Sequence, residues 1–204
     1  MTLTGNYLFA QPCDFIMGAV AMDALPAPDY PEIAFAGRSN VGKSSLINAL
    51  TARRGLAKAS SEPGRTQQIN FFLLAEKLML VDLPGYGYAK AARTEVKRWT
   101  HLVKDYLAGR PNLRRVLLLI DSRHGLKEVD TGIMELLDEA AVSYQIVLTK
   151  ADKIKPKELE AVVESVRAAF KKHPAAHPEI IATSAHDRNG IEMLRNELAK
   201  LTVR

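Results

Sequence analysis

Gly37-Arg38-Ser39-Asn40-Val41-Gly42-Lys43-Ser44 is the stretch of this chain whose residue types and spacing are best fitted to chemistry. It follows the pattern G-x-x-x-x-G-K-[ST] of a phosphate-binding loop. Two glycines let the backbone curl closely around a polyphosphate, so that successive N–H groups and the positive end of the following helix face anionic oxygens. Lys43 then serves as a mobile cation for the β- and γ-phosphates, and the Ser44 hydroxyl as an oxygen ligand for Mg²⁺. Ser45 continues the loop into the helix. A serine-hydrolase elbow is excluded, because Gly37-Arg38-Ser39-Asn40-Val41 lacks the closing glycine of G-x-S-x-G.

Four shorter motifs narrow the nucleotide. Asp82-Leu83-Pro84-Gly85 follows an apolar run, as D-x-x-G should, which places Asp82 near Mg²⁺ and the Gly85 N–H near a γ-phosphate. Thr149-Lys150-Ala151-Asp152 ends another run. There the Asp152 carboxylate can accept from the N1 and N2 donors of guanine, a pair that adenine does not offer, while the Lys150 stem lies over the base. Thr183-Ser184-Ala185 offers backbone N–H groups to the guanine O6. In Gly64-Arg65-Thr66, Thr66 is the only threonine between the first helix and Asp82, placed to bind Mg²⁺ and the γ-phosphate in one nucleotide state. The catalytic set expected from these motifs is Lys43, Thr66 and Gly85, and the expected Mg²⁺ ligands are Ser44, Thr66 and Asp82.

These motifs need a scaffold that ends strands at one edge. Glu32 to Ala36, Gln68 to Leu74, Lys77 to Val81, Arg115 to Ile120, Tyr144 to Leu148 and Ile180 to Ala182 read as strands. Lys43 to Thr51, Thr94 to Ala108, Glu128 to Ala140, Pro156 to Phe170 and Ile191 to Leu201 read as helices, with Trp99 on the apolar side of the second. Such alternation predicts an α/β fold, a mostly parallel sheet covered on both faces, and ligands in such sheets sit at the carboxyl ends of the strands. Residues 1–30, poor in charge and carrying Pro26 and Pro28, are expected to pack as an extra strand or arm on a domain spanning 31–204. His173 and His177 read as surface histidines, since Pro174 between them spoils a helical metal site. Asp121-Ser122-Arg123, at a strand end, could bond neighbouring loops.

With 204 residues, 47% of them hydrophobic, the chain can bury a sizeable core. The lone Cys13 allows no internal disulfide, which fits a reducing compartment, and a cytoplasmic setting is expected. No Lys or Arg precedes Arg38, so the charged start of a signal peptide is missing, and no apolar run is long enough to span a bilayer. Charge is uneven: Thr51 to Arg115 holds thirteen Lys or Arg against five acids, +8, leaving −3 for the rest of the net +5. A basic block of this kind points to a polyanionic partner.

The motifs together resemble those of translation-factor-like GTPases, and more specifically the EngB family. The resemblance is carried by Pro31 through Leu46, Pro63-Gly64-Arg65-Thr66-Gln67, Asn70-Phe71-Phe72, Asp82-Leu83-Pro84-Gly85-Tyr86-Gly87-Tyr88 and Thr149-Lys150-Ala151-Asp152. It implies a three-layer P-loop GTPase fold, with a six-stranded sheet containing one antiparallel strand and helices on both faces. It also implies GTP or GDP with Mg²⁺, a monomer, a partner in the large ribosomal subunit or its precursor (rRNA and ribosomal proteins), and an association with septation in cell division. Asn40 looks like the asparagine that helps hold K⁺ in TrmE-type GTPases, a resemblance that adds Asn40 to the expected catalytic residues. Two positions depart from the commonest GTPase pattern. Tyr86 stands where a water-positioning glutamine often follows D-x-x-G, so unaided hydrolysis is expected to be slow. Thr149 replaces an asparagine, which questions one loop-to-loop hydrogen bond. Two rivals stay open: a P-loop ATPase or phosphotransferase, disfavoured by Asp152, and a nucleotide-dependent division regulator that touches no RNA.

Overall fold

Strands covered on both faces carry no polar alternation, and the four central strands of this protein have none. The computed structural model describes residues 4–57, 68–86 and 93–202, with side chains from 101 onward in the last stretch. Every residue is buried in β2 (Glu32–Gly37), β4 (Leu78–Asp82) and β6 (Tyr144–Thr149), as are the last six of β5 (Leu113–Asp121). Flanking them are β1 (Cys13–Ala19), β3 (Ile69–Leu74) and β7 (Ile181–Ala182), and the order across the sheet is β1-β3-β4-β2-β5-β6-β7. The helices are α1 (Gly5–Phe9), α2 (Lys43–Thr51), α3 (Arg93–Gly109), α4 (Glu128–Glu139), α5 (Pro156–Ala169) and α6 (Ile191–Ala199). This is the expected α/β fold with one correction, seven strands among the described residues rather than six. β3 alone runs against the other six, because it pairs antiparallel with both β1 and β4.

The seventh strand comes from the N-terminal residues. In β1 only Cys13 and Ala19 are fully buried, so its sequence shows no clean two-residue period; a bulge between Phe15 and Met17 breaks the register as well. What holds it is pairing with β3 and the edge-on contact of Phe15 with Phe72, 5.6 Å between ring centres. Leu8 and Phe9 of α1 join Leu46, Ile47 and Leu50 of α2 and Leu194 and Leu198 of α6 in one buried layer. On the other face Val103, Tyr106 and Leu107 of α3, Met134 and Leu137 of α4 and Val166 of α5 form the second. Gly5 crosses the backbone of Arg195 so closely that a Cβ would lie 2.3 Å from its carbonyl carbon, and the Gly5 N–H donates to Asn196 Oδ1 at 2.9 Å.

The edge of the sheet opposite the phosphate loop is closed by a buried charge. Glu32, the first residue of β2, is fully buried and accepts from Tyr106 (2.7 Å) and from the Arg110 guanidinium (2.6 and 3.0 Å). Arg110 also donates to the Pro26 carbonyl at 2.8 Å. The basic block is therefore smaller on the surface than in the sequence: Arg110 is spent on Glu32, and half-buried Arg115 on Gln145 at 3.0 Å. Its Lys58, Arg65 and Lys90 fall outside the described residues, as do the side chains of Arg93, Lys97, Arg98 and Trp99. The reading of His173 as a surface residue is corrected too. It is 6% exposed, with Nδ1 2.6 Å from Asp138 Oδ2, joining α4 to the turn after α5. Among the described residues no helix is long and apolar enough to cross a membrane.

Candidate functional site

β2 lies between β4 and β5, where the chain order reverses, and the crevice beyond its carboxyl end is the natural ligand site of such a sheet. The phosphate loop emerges there. Gly42 opens α2 with φ of 105°, a left-handed value that disfavours any side chain, and Asn40 also adopts a left-handed φ of 63°. Lys43, in the first turn of α2, makes an ion pair with Asp82 at the end of β4. The two motifs thus meet at one corner, and Ser44, the next residue, adds a hydroxyl. An alcohol and a carboxylate there are hard oxygen donors of the kind Mg²⁺ takes. The Gly85 N–H makes no hydrogen bond with the described residues. Gly64, Arg65 and Thr66, expected at the γ-phosphate and Mg²⁺, lie outside the described residues.

Two residues expected at the cofactor have side chains engaged elsewhere. Leu83 is buried in the core, its N–H given to the Phe35 carbonyl at 3.1 Å. Arg38 turns away from the loop: its Nη2 donates to the Gly125 carbonyl at 3.3 Å, and its Nε lies 3.3 Å from Asp130 Oδ2. The Val41 N–H is likewise used inside the turn, on the Arg38 carbonyl. Asn40 is exposed, and its carboxamide makes no hydrogen bond among the described residues.

The base side is joined to the phosphate side by the departure that looked weakest in the sequence. The Thr149 hydroxyl donates to the Val41 carbonyl at 2.6 Å, so threonine keeps the loop-to-loop bond. Lys150, left-handed at φ 56°, donates from Nζ to the Asn40 carbonyl at 2.6 Å and lies 3.0 Å from Asp121 Oδ2. Asp121 is also held by Arg123 at 2.8 and 3.0 Å, and Ser122 Oγ donates to the Thr149 carbonyl at 2.7 Å. Burial alone would raise the Asp121 carboxyl, but the bonds from Arg123 and Lys150 outweigh it and hold it well below the usual carboxylate range. Asp121-Ser122-Arg123, given no chemistry from sequence, is thus the support beneath Thr149 and Lys150.

Asp152 accepts from Ser184 Oγ at 2.8 Å, and Lys153 lies 3.1 Å from its other oxygen. The Ser184 hydroxyl, with help from Lys153, lowers its pKa, keeping it ionised as an acceptor for two donors. Of the three amides expected near a guanine O6, Thr183 N–H is spent on Leu148 and Ser184 N–H on Asn189, while that of Ala185 makes no backbone bond among the described residues. Because a valine at 149 would keep the shape and orphan the buried Val41 carbonyl, Thr149→Val is expected to weaken GDP binding about fivefold, roughly 1 kcal/mol. Equal affinities in a direct titration would remove Thr149 from the site.

Tyr86, in place of glutamine, is 4% exposed and turned inward. Its hydroxyl donates to Asp130 Oδ1 at 2.8 Å. Burial first, then the Asp130 charge, pushes the phenol far above its ordinary pKa, so it stays a neutral donor. Asp130 was missed in the sequence although a signal existed: it shares the inward stripe of α4 with Met134 and Leu137, at i, i+4 and i+7.

A family model for 50S ribosome-binding GTPases matches residues 32–150. The "Probable GTP-binding protein EngB" of Rhodospirillum rubrum is 59% identical over 202 residues, covering 97% of this chain and 87% of its own. This chain belongs to the EngB family of GTPases. The EngB protein of Caulobacter vibrioides matches at 59% over 195 residues, covering 96% of this chain and 85% of its own. A crystal structure of a probable GTP-binding protein engB superposes with a TM-score of 0.67 at 24% identity, covering 84% of this chain and 98% of that one. Era in complex with MgGDPNP and a segment of 16S ribosomal RNA superposes at 0.63 and 23%, covering 84% and 56%. At these identities the two structures speak for the fold alone, an α/β P-loop GTPase domain. Membership in the EngB family carries GTP and GDP binding, typically with Mg²⁺, and hydrolysis of GTP to GDP and phosphate.

Proposed function

We propose that this EngB-family chain is a cytoplasmic, monomeric GTP switch whose GTP-bound form docks on the large ribosomal subunit or its precursor during assembly, with normal septation depending on that role. The observation that carries the guanine-switch reading is the direct bonding of the two loops, Thr149 to Val41 and Lys150 to Asn40, which makes base recognition and phosphate binding one rigid unit. An ATPase or phosphotransferase has no use for an acceptor such as Asp152 at that place. The ribosomal partner is supported by the description of the matching family and by the basic block.

In this reading Gly37 to Ser45 wrap the phosphates, and Lys43 leaves Asp82 for the β- and γ-phosphates. The Gly85 N–H meets the γ-phosphate, while Asp152, the Lys150 stem and the Ala185 N–H hold guanine. Ser44, Asp82 and Thr66 would hold Mg²⁺, which when bound neutralises charge on the phosphates. The exposed Asn40 carboxamide would help hold K⁺.

Co-sedimentation with ribosomal subunits in GTP analogue, GDP and no nucleotide tests the partner. Pelleting with the large subunit in the analogue alone is expected; equal pelleting in all three states overturns the switch. If Arg53, Arg54 and their neighbours contact phosphates, affinity falls steeply with salt, and each removed cation lowers the log–log slope by about one. A salt-insensitive association would mark an apolar protein partner, and no association at all would return the division regulator that touches no RNA.

A further inference from the structure

Asp130 is a buried carboxylate outside every nucleotide motif, yet it joins two of them. Its Oδ1 accepts from the Tyr86 hydroxyl at 2.8 Å; its Oδ2 accepts from the Lys127 N–H at 2.9 Å and lies 3.3 Å from Arg38 Nε. The residue is fully buried, and Arg38 is the cation that compensates it. Leaving such a carboxylate unpaired is costly, so Tyr86 and Arg38 are held in place by it.

Those two side chains belong to the segments that must stay aligned for hydrolysis. The Tyr86 backbone is already zippered to the phosphate loop: its N–H donates to the Gly37 carbonyl at 3.2 Å, and its carbonyl accepts from the Ser39 N–H at 3.0 Å. Gly85, one residue earlier, passes so close that a Cβ on it would lie 3.2 Å from Ser39 Cα and 3.3 Å from Ser39 N. The Tyr86 side chain therefore does not approach the attacking water; it leaves the cleft and ends on α4.

From this geometry we infer that Asp130 is a positioning residue for GTP hydrolysis, which, through Tyr86 and Arg38, fixes the Gly85 amide against the phosphate loop. The inference rests on the reading that the Gly85 N–H meets the γ-phosphate. With the amide fixed, a donor is preorganised where charge develops, and preorganisation of this kind acts on kcat rather than on ground-state binding. Ligands that lack a γ-phosphate have no contact with that amide, so GDP affinity should be insensitive to the latch.

The test uses the full chain with Asp130→Asn, Tyr86→Phe, the double variant and Gly85→Ala, measuring kcat, KM and GDP affinity. Asp130→Asn and Tyr86→Phe are each expected to lower kcat about fivefold, with GDP affinity within about twofold of wild type and the double variant no worse than the poorer single. Since a carboxamide still accepts from Tyr86, Tyr86→Phe gives an independent reading should Asp130→Asn fold poorly. A purely structural role would lower GDP affinity and thermal stability together with kcat, and that outcome overturns the inference. Unchanged kcat in both single variants overturns it as well. Gly85→Ala separates the two failures: if it hydrolyses GTP normally, the γ-phosphate reading is wrong; if it is inactive while Asp130→Asn is normal, only the latch is wrong.

Discussion

Replacing Asp152 with asparagine is expected to lower GTP affinity by about 2–4 kcal/mol, thirtyfold or more, while xanthosine triphosphate gains. The size is kept, but an acceptor facing two guanine donors becomes partly a donor. Ser184 and Lys153, which hold the two carboxylate oxygens, keep the side chain aimed at the base, so the effect falls on base chemistry rather than on geometry. Xanthine carries a carbonyl where guanine carries its amine, and the new amide can donate to it. Titrating both nucleotides against wild type and variant decides the matter, and an unchanged preference for GTP would defeat the assignment.

Exchanging Na⁺ for K⁺ at constant ionic strength is expected to slow GTP hydrolysis by about tenfold, less than the roughly 10²–10³ that one well-placed electrostatic stabiliser is worth in kcat. The reason is that Tyr86 is anchored on Asp130 and cannot orient water, so charge developing between the β- and γ-phosphates needs another partner. The Asn40 carboxamide is exposed at the turn of the phosphate loop, and Lys150 fixes its backbone through the Asn40 carbonyl. The acceleration by K⁺ should vanish in Asn40→Ala. Equal rates of the wild type in both salts would sink the cation site.

How much of this was legible beforehand depended on whether the information was local. The phosphate loop, D-x-x-G and the Thr149 to Asp152 motif each combine a strand end with a short fixed spacing, and α2 begins and ends at Lys43 and Thr51 as read from sequence. What was not legible is long-range pairing. β1 has no alternation because most of it is held at the sheet edge by β3 and one aromatic contact. Arg110 reads as surface charge until Glu32, 78 positions away, is seen to face it. Thr149 looked like a loss because the sequence lists a missing amide but not the Val41 carbonyl 2.6 Å from its hydroxyl.

The closure of α1 on α6 bears on how the chain matures as it is made. Synthesis delivers the N-terminus first, and domains generally fold as their parts emerge. Yet β1 finds its partner only when β3 has been translated, and the Gly5 N–H finds Asn196 Oδ1 only 191 residues after its own synthesis. Leu8 and Phe9 share their buried layer with Leu194 and Leu198 as well as with α2, so that layer is complete only once α6 has been made. A nascent chain arrested before Ile191 is expected to leave that apolar pair without its α6 partners, so protection of α1 from protease should rise when α6 is added.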